Sequence, residues 1–127
     1  MNCLLDTHTY IWWLGDPSRV GEFAAKLISD SGNDIYVSMA SFWELGIKSS
    51  LGKIALSQDI LSLATTLYED GLKLLPIEPR HCSAVANLPF HHRDPFDRML
   101  VAQAFTEDLT LLSRDKEFPP YPVRVIW

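Results

Sequence analysis

Residues 2–15 read "NCLLDTHTYIWWLG", and this stretch decides the fold expected of the chain. Its first part, "NCLLD", is a short apolar run that ends at an acid, which is typical of a buried strand. The rest, "THTYIWWLG", is predicted to be a helix. A buried strand that passes directly into a helix is the first half of an α/β unit.

The same order of strand and helix recurs to the end of the chain. Further strands are predicted at "IYVS" (35–38), "LKLLPI" (72–77), "LTLLS" (109–113) and, as a short fifth, "VRVIW" (123–127). Further helices are predicted from Ser18 to about Ser31, at 40–52, from Ser57 as N-cap to Gly71 as C-cap glycine, from Pro79 over a short stretch, and at 95–108. The alternation indicates an α/β fold with a mostly parallel central sheet of four to five strands, covered by helices on both faces.

The size of the chain predicts a single domain. It has 127 residues, of which 47% are hydrophobic and 21% are charged, and we expect one globular domain over residues 1–127. No apolar run approaches the roughly 20 residues of a membrane span, and the start lacks the basic region of a secretory signal. We therefore expect a cytoplasmic protein with no membrane segment, in which Cys3 and Cys82 stay reduced.

The net charge of the chain is only weak evidence against a nucleic-acid-binding function. A formal net charge of −5 argues against nonspecific nucleic-acid binding, which normally depends on surplus lysine and arginine. Where several acids converge on divalent cations, however, each cation adds two positive charges and the local field can invert. The positions of the acids therefore matter more than their number.

Four acids follow a common rule of position. In a parallel sheet, ligands bind beyond the carboxyl ends of the strands. Asp6 ends the first predicted strand, Glu44 lies in the helix after the second, and Asp115 lies two residues past the fourth. Asp97 lies in the first turn of the helix that leads into the fourth strand, and we expect it to face the same rim as the other three. Four carboxylates would then share one pocket.

A pocket of this kind needs compensating positive charge, which a bound cation can supply. Four carboxylates cannot all stay ionised within a few ångströms of one another without compensating charge. Mg²⁺ and Mn²⁺ are hard ions that prefer oxygen ligands, and they can activate a water and neutralise charge on a phosphoryl group. The arrangement predicts hydrolysis of phosphodiester bonds without a covalent intermediate.

Each acid also has an ordinary structural interpretation. Asp6 can be a turn residue at a strand end. Glu44 is four residues before Lys48, the favourable order for a surface ion pair on a helix. Asp97 can complete a capping box, and Asp115 can be a loop acid beside its own counter-ions. Taken singly the acids are not specific, so the prediction depends on their joint placement.

The stretch "HHRDPFDRML" (91–100) contains two aspartates three residues apart. Asp94 is predicted to be the helix N-cap, with Pro95 at the first helical position. Basic side chains near the acids are expected to form a positive rim that holds a polyanion, or else to be ordinary solvated or ion-paired groups: His91, His92, Arg93, Arg98, Arg114 and Lys116. Metal ligation by the two histidines is the less favoured alternative, because their spacing matches no zinc-binding motif.

With these residues in place, the chain resembles PIN-domain proteins and, more narrowly, the VapC-type ribonuclease toxins of bacterial toxin–antitoxin pairs. The segments that carry the resemblance are, in order, "LLDTHTYIWWLGDP", "SMASFWELGIKSSLGKI", "HHRDPFDRMLVAQA", "LLSRDKEF" and "VRVIW". The resemblance implies a PIN-like three-layer α/β/α sandwich. It also implies a catalytic and metal-binding quartet made of Asp6, Glu44, Asp97 and Asp115, with Ser113 in place of a threonine that supports the site in many relatives.

The resemblance further implies Mg²⁺-dependent cleavage of RNA, homodimerisation, and inhibition by a small antitoxin whose tail enters the active-site groove. Two other functions stay open. One is a receiver-type phosphoacceptor domain, which needs an aspartate at the end of a central strand near mid-chain, where this chain offers only Glu78. The other is a catalytically inert PIN-like module that only binds a partner or nucleic acid.

Overall fold

The computed structural model describes residues 1–127. Its strands are β1 (Asn2–Leu5), β2 (Asp34–Ser38), β3 (Lys73–Leu75), β4 (Thr110–Leu112) and β5 (Val125–Ile126). Its helices are α1 (Thr7–Gly15), α2 (Glu22–Ser29), α3 (Met39–Ser50), α4 (Ile60–Glu69), α5 (Pro79–Ala86) and α6 (Pro95–Glu107), with a 3₁₀ turn at Pro17–Arg19. None of these helices has the length and apolar character needed to cross a membrane.

The five strands form one sheet in the order β3-β2-β1-β4-β5, and every neighbouring pair is parallel. The predicted α/β fold is therefore confirmed, including the short fifth strand at the chain end. Strand β1 is central, between β2 and β4. Because all strands run the same way, their carboxyl ends lie along one edge of the sheet, which we call the carboxyl edge.

Two hydrophobic cores lie on opposite faces of the sheet. Along β1, Cys3 and Leu5 belong to one core and Leu4 to the other, as the two-residue period of a strand requires. The first core is built with side chains of α1 to α4, and the second mainly with α6 and the end of α5. The result is the three-layer sandwich that was expected.

Helix α2 begins later than the apolar spacing predicts. The helix expected from Ser18 instead consists of the 3₁₀ turn and, after Val20 in an extended conformation, a separate helix that begins at Glu22. Gly21 lies between them and packs against Trp127: a Cβ on Gly21 would lie 3.0 Å from the indole. The close approach of the chain end therefore interrupts the helix.

Helix α4 also begins later than expected. Ser57 is not its N-cap, because the carboxylate of Asp59 accepts the hydrogen bond from the Ser62 amide at 2.7 Å and starts the helix there. The predicted glycine at the other end is confirmed. Gly71 has a φ of +78°, and the Gly71 and Leu72 amides donate back to carbonyls of the last helical turn. This is a Schellman ending.

Candidate functional site

Asp6 connects the first strand to the first helix at the carboxyl edge. It directly follows β1 and is the N-cap of α1, where one carboxylate oxygen accepts from the Thr9 amide at 2.7 Å. The other oxygen accepts a short hydrogen bond from the hydroxyl of Ser113, just past β4. The Thr9 hydroxyl donates to the Leu112 carbonyl at 3.0 Å. Asp6 is therefore buried and held in one orientation from two strands.

Ser113 couples two of the predicted site acids. Its hydroxyl donates to Asp6 and accepts from the backbone amide of Asp115 at 3.0 Å. The Asp115 carboxylate in turn accepts from the Glu117 amide at 2.9 Å, which closes a tight turn. A serine is enough for these contacts, because only the hydroxyl is used.

The two aspartates of "HHRDPFDRML" have different roles. Asp94 caps α6: its carboxylate accepts from the amides of Phe96 at 2.8 Å and Asp97 at 3.1 Å, with Pro95 at the first helical position. This confirms the predicted cap. The Asp97 carboxylate makes no hydrogen bond back to the Asp94 backbone, so Asp97 does not complete a capping box and its side chain is free to face the site.

Asp97 lies in the electrostatic field of the other acids. Its pKa is raised from the ordinary value of 3.8 to about 7, first by burial and then by the negative charge of Asp94. The charges of Glu44 and Asp6 raise the pKa further, and His92 partly offsets them. The first turn of α6 therefore lies near Asp6, which follows β1, and near Glu44 on α3.

Glu44 enters the site from α3. It forms the expected ion pair with Lys48, at 2.7 Å, but the pair is not a solvated surface bridge, because the Glu44 side chain is only 6% exposed. Its other oxygen, Oε1, is buried and has no hydrogen-bond partner. A buried carboxylate oxygen without a partner is strongly unfavourable in a folded protein unless something positive binds it.

Glu117 is a member of the site that sequence reasoning did not name, and His92 was expected at a basic rim and not in contact with three acids. The His92 Nε2 atom lies 3.2 Å from Asp97, 3.4 Å from Asp115 and 3.1 Å from Glu117, in each case measured to a carboxylate oxygen. His92 is buried against the ring of Phe118. The available signal was the acid pair of "RDKEF", since a tight turn after β4 brings Asp115 and Glu117 to one side.

The predicted basic rim is wrong for Arg98. Its side chain is buried, and its guanidinium donates to four backbone carbonyls, of Val85, Leu88, Pro89 and His92, while it packs over Phe90. It is therefore neither a rim cation nor a solvated or ion-paired group. Its role is to hold the segment that joins α5 to α6.

Arg114 lies where the prediction places a rim cation. A cleft of about 270 Å³ opens beside the acids and is lined by Asp6, His8, Trp12, Arg114 and Asp115. The guanidinium groups of Arg19 and Arg114 each lie 4.6 Å from the centre of the Trp12 ring. The lining of the cleft therefore combines two carboxylates, an indole and the guanidinium of Arg114, while Arg19 packs on the same indole.

Comparison with known proteins gives the family. The sequence profile of the PIN domain matches residues 3–122. The chain belongs to the PIN-domain family. It is similar to a curated relative, Ribonuclease VapC22 of Mycobacterium tuberculosis (strain ATCC 25618 / H37Rv), with 28% identity over 127 residues that cover 96% of each chain.

Solved structures share this PIN fold over nearly the whole chain. VapBC2 from Rickettsia felis, solved bound to a DNA fragment from their promoter, has a TM-score of 0.74 and 16% identity, covering 99% of this chain and 98% of that one. VapBC-5 from Mycobacterium tuberculosis, a member of the VapBC family of toxin-antitoxin systems, has a TM-score of 0.61 and 20% identity, covering 98% and 97%. The PIN-like fold and the resemblance to VapC-type proteins are thereby confirmed.

The residues of this PIN domain fit a divalent cation. Carboxylates from α3, α6 and the ends of β1 and β4 supply hard oxygen ligands of the type that Mg²⁺ and Mn²⁺ prefer. The Glu44 Oε1 atom has no hydrogen-bond partner, and the raised pKa of Asp97 reflects negative charge around it that is only partly compensated. Of the four acids predicted as ligands, Asp6, Glu44, Asp97 and Asp115, the last groups most closely with other possible ligand atoms, those of His92 and Glu117.

Proposed function

We propose that this PIN-domain protein is a metal-dependent endoribonuclease that acts as the toxin of a toxin–antitoxin pair. The observation that carries the proposal is the convergence of Asp6, Glu44, Asp97 and Asp115 at the carboxyl edge. The name of the curated relative, Ribonuclease VapC22, supports RNA as the substrate. We also propose that the protein acts in the cytoplasm, because its proposed substrate, cellular RNA, is found there.

The proposed cofactor is Mg²⁺, for which Mn²⁺ can substitute. Asp6, Asp97 and Asp115 would hold the ion, while Glu44 would bind a second ion or orient the attacking water. When bound, the ion supplies an activated water and neutralises charge on the scissile phosphate. The chain's own contribution is orientation, since the Ser113 hydroxyl fixes Asp6 relative to the Asp115 backbone. Arg114, at the mouth of the same cleft, would hold an RNA phosphate.

The proposed partners follow from the family. Structural neighbours are toxin–antitoxin complexes, including VapBC-5, and this supports a cognate antitoxin as partner. We include homodimerisation in the proposal, as the resemblance to VapC-type toxins implies, and we treat residues 1–127 as one functional domain.

The structure does not favour a receiver-type phosphoacceptor. That function needs an acceptor aspartate at the end of a central strand near mid-chain, but β3, the mid-chain strand, lies at the edge of the sheet. Glu78, the only acid that follows it closely, is the N-cap of α5 and pairs with Arg80 at 3.1 Å. A catalytically inert binding module stays as the alternative, and the experiment below separates it from a nuclease.

The test is cleavage of total cellular RNA by the purified, antitoxin-free protein, with Mg²⁺ or with EDTA, followed by mapping of the fragment ends. We expect discrete Mg²⁺-dependent cuts that Asp6→Asn abolishes. Asparagine is as good an N-cap as aspartate, so α1 and the fold should be kept. The matched control is Asp108→Asn, at the exposed C-cap of α6 and at φ +54°, a conformation that asparagine tolerates.

Either of two results would contradict the proposal. Cleavage retained by folded Asp6→Asn would remove Asp6 from the catalytic site. If the folded wild type cuts nothing with either Mg²⁺ or Mn²⁺, the inert binding module becomes the better conclusion.

A further inference from the structure

Three carboxylates converge on a single nitrogen atom at one end of the site. They belong to Asp97, Asp115 and Glu117, and each has an oxygen within 3.4 Å of the His92 Nε2 atom. An imidazole nitrogen carries at most one hydrogen, whereas an ionised carboxylate can only accept. One hydrogen cannot satisfy three acids, so hydrogen bonding alone does not account for the arrangement.

These acids have no other positive partner. Neither a lysine nor an arginine forms a salt bridge with any of them, although such bridges occur elsewhere in the molecule. His92 itself is buried, and its ring is held by Phe118. The main chain around it is fixed as well, because the His92 carbonyl accepts from buried Arg98. The imidazole is therefore a rigid element of the site.

The separations match those of ligands that share one ion. Ligand atoms about 2.0–2.2 Å from a common metal, at octahedral or tetrahedral angles, lie about 3.0–3.4 Å from one another. The three separations from Nε2 to oxygen are 3.1, 3.2 and 3.4 Å. The ligand atoms of His92, Asp115 and Glu117 also lie within 4.8 Å of one another.

A second, independent observation also indicates a cation here. Glu44 lies on a different element, α3. Its side chain is only 6% exposed, and its Oε1 atom has no hydrogen-bond partner. Its negative charge contributes to the raised pKa of Asp97. Asp97 in turn lies 3.2 Å from the His92 nitrogen, so the unpartnered oxygen adds negative charge to the neighbourhood of the subsite.

We propose that His92, Asp115 and Glu117 form a mixed nitrogen–oxygen subsite, bordered by Asp97, that binds a first-row transition-metal ion in preference to Mg²⁺. Mg²⁺ favours ligand sets made only of oxygen, whereas an imidazole nitrogen raises the affinity for ions such as Mn²⁺ and Zn²⁺. The subsite adjoins the acid quartet and shares Asp115 with it, so the inference rests on the proposed function to the extent that Asp115 binds a cation.

The test uses Mn²⁺ alone as the probe and does not depend on RNA cleavage. Binding of Mn²⁺ and of Mg²⁺ to the whole chain is measured by titration calorimetry, and nitrogen coordination is detected by pulsed electron paramagnetic resonance of bound Mn²⁺. We expect Mn²⁺ to bind more tightly than Mg²⁺ and to show a ¹⁴N coupling. His92→Gln removes the nitrogen donor, and should remove the coupling and weaken Mn²⁺ binding at least about tenfold, with little effect on Mg²⁺.

The chain offers a neighbouring histidine as control. His91 packs on the ring of Tyr121, with 5.0 Å between ring centres, and belongs to no cation cluster, so His91→Gln should keep both the coupling and the affinity. Glu117→Gln is a second variant with little risk of misfolding, because the Glu117 side chain is 60% exposed. It should weaken Mn²⁺ binding while the ¹⁴N coupling stays.

The outcomes separate this inference from the proposed function. If Mn²⁺ binds but shows no ¹⁴N coupling, or if the coupling survives His92→Gln, the mixed subsite is refuted while binding by the carboxylate quartet stands. If the folded wild type binds neither ion, both proposals fail. A coupling lost only in His92→Gln, with Mn²⁺ preferred over Mg²⁺, supports the subsite.

Discussion

Asp97 is the residue whose chemistry reports most directly on the site. It sits in the first turn of α6, where the helix dipole favours a negative charge. Burial and the nearby charges of Asp94, Glu44 and Asp6 nonetheless outweigh that effect and raise its pKa to about 7. Without metal, Asp97 in the folded protein therefore keeps its proton up to about pH 7, whereas in the unfolded chain it loses the proton near pH 3.8.

This shift predicts the pH dependence of stability without metal. Because the folded state binds the proton more tightly, the contribution of Asp97 is fully present below pH 3.8 and is lost as the pH rises to about 7. We expect the EDTA-treated wild type to lose on the order of 1–3 kcal/mol of unfolding free energy between pH 5 and 8. Asp97→Asn should flatten this dependence, as measured by urea denaturation at each pH.

The control for the pH experiment is Glu22→Gln. The Glu22 side chain is 87% exposed and pairs only with Lys26, so its removal should leave the slope unchanged. If the unfolding free energy changed equally with pH in the wild type and in Asp97→Asn, Asp97 would be ionised in the folded protein over the whole range. The raised pKa of Asp97 would then be refuted.

At the residue scale, sequence reasoning predicted a quartet of acids, but it did not name Glu117 and did not predict the contacts of His92. Asp6 and Asp115 are predictable because each follows a strand whose end is fixed by the sheet. His92 precedes α6 in a segment without regular structure, so no period indicates where its ring points. Its position depends on Arg98, and the environment of that buried guanidinium is made of carbonyls that a sequence does not reveal.

At the scale of elements, the connection between α5 and α6 is held by one side chain. Arg98 reaches back from α6 and donates to carbonyls at 2.9 Å (Pro89), 3.2 Å (Val85), 3.3 Å (Leu88) and 3.5 Å (His92). No carboxylate shares this guanidinium among the salt bridges of the molecule. The conformation of the segment that contains His92 therefore depends on the planar Arg98 guanidinium and its several N–H donors.

This contact predicts that Arg98→Lys is not a conservative change. A single ammonium cannot span carbonyls spread over Val85 to His92, and the unpaired carbonyls stay buried. We expect a loss of about 2–3 kcal/mol in the free energy of unfolding, measured by urea denaturation. The comparison is Arg93→Lys on the exposed part of the same segment, where a change of less than about 0.5 kcal/mol is expected. Similar small effects at both positions would refute the role of Arg98.

The elements themselves were predicted better than their first residues. All five strands and six helices follow from apolar spacing, because the core alternates along β1 and repeats along the helices. The starts of α2 and α4 could not be predicted. The first depends on Trp127, at the other end of the sequence, and the second on which of two polar residues, Ser57 or Asp59, accepts the capping bond.

At the scale of the whole molecule, the parallel sheet concentrates charge that the composition spreads out. The net charge of the chain is −5, but the strand directions bring acids from both halves of the sequence to one edge. Repulsion between these carboxylates opposes folding when no cation is bound. Ions that bind the edge should therefore stabilise the entire fold.

The last prediction concerns the stabilisation of the whole fold by ions bound at the carboxyl edge. A ligand that binds only the folded state adds RT ln(1 + [L]/Kd), which is about 2.7 kcal/mol when its concentration is 100 times Kd. We expect Mg²⁺ or Mn²⁺ to raise the thermal midpoint of the wild type and of Asp108→Asn, and EDTA to reverse the rise. NaCl at equal ionic strength controls for general screening. Asp6→Asn should lose most of the increase, because it removes a ligand charge while keeping the α1 cap. An equal increase in Asp6→Asn would mean that the ion binds elsewhere, and the carboxyl edge would no longer explain the stabilisation.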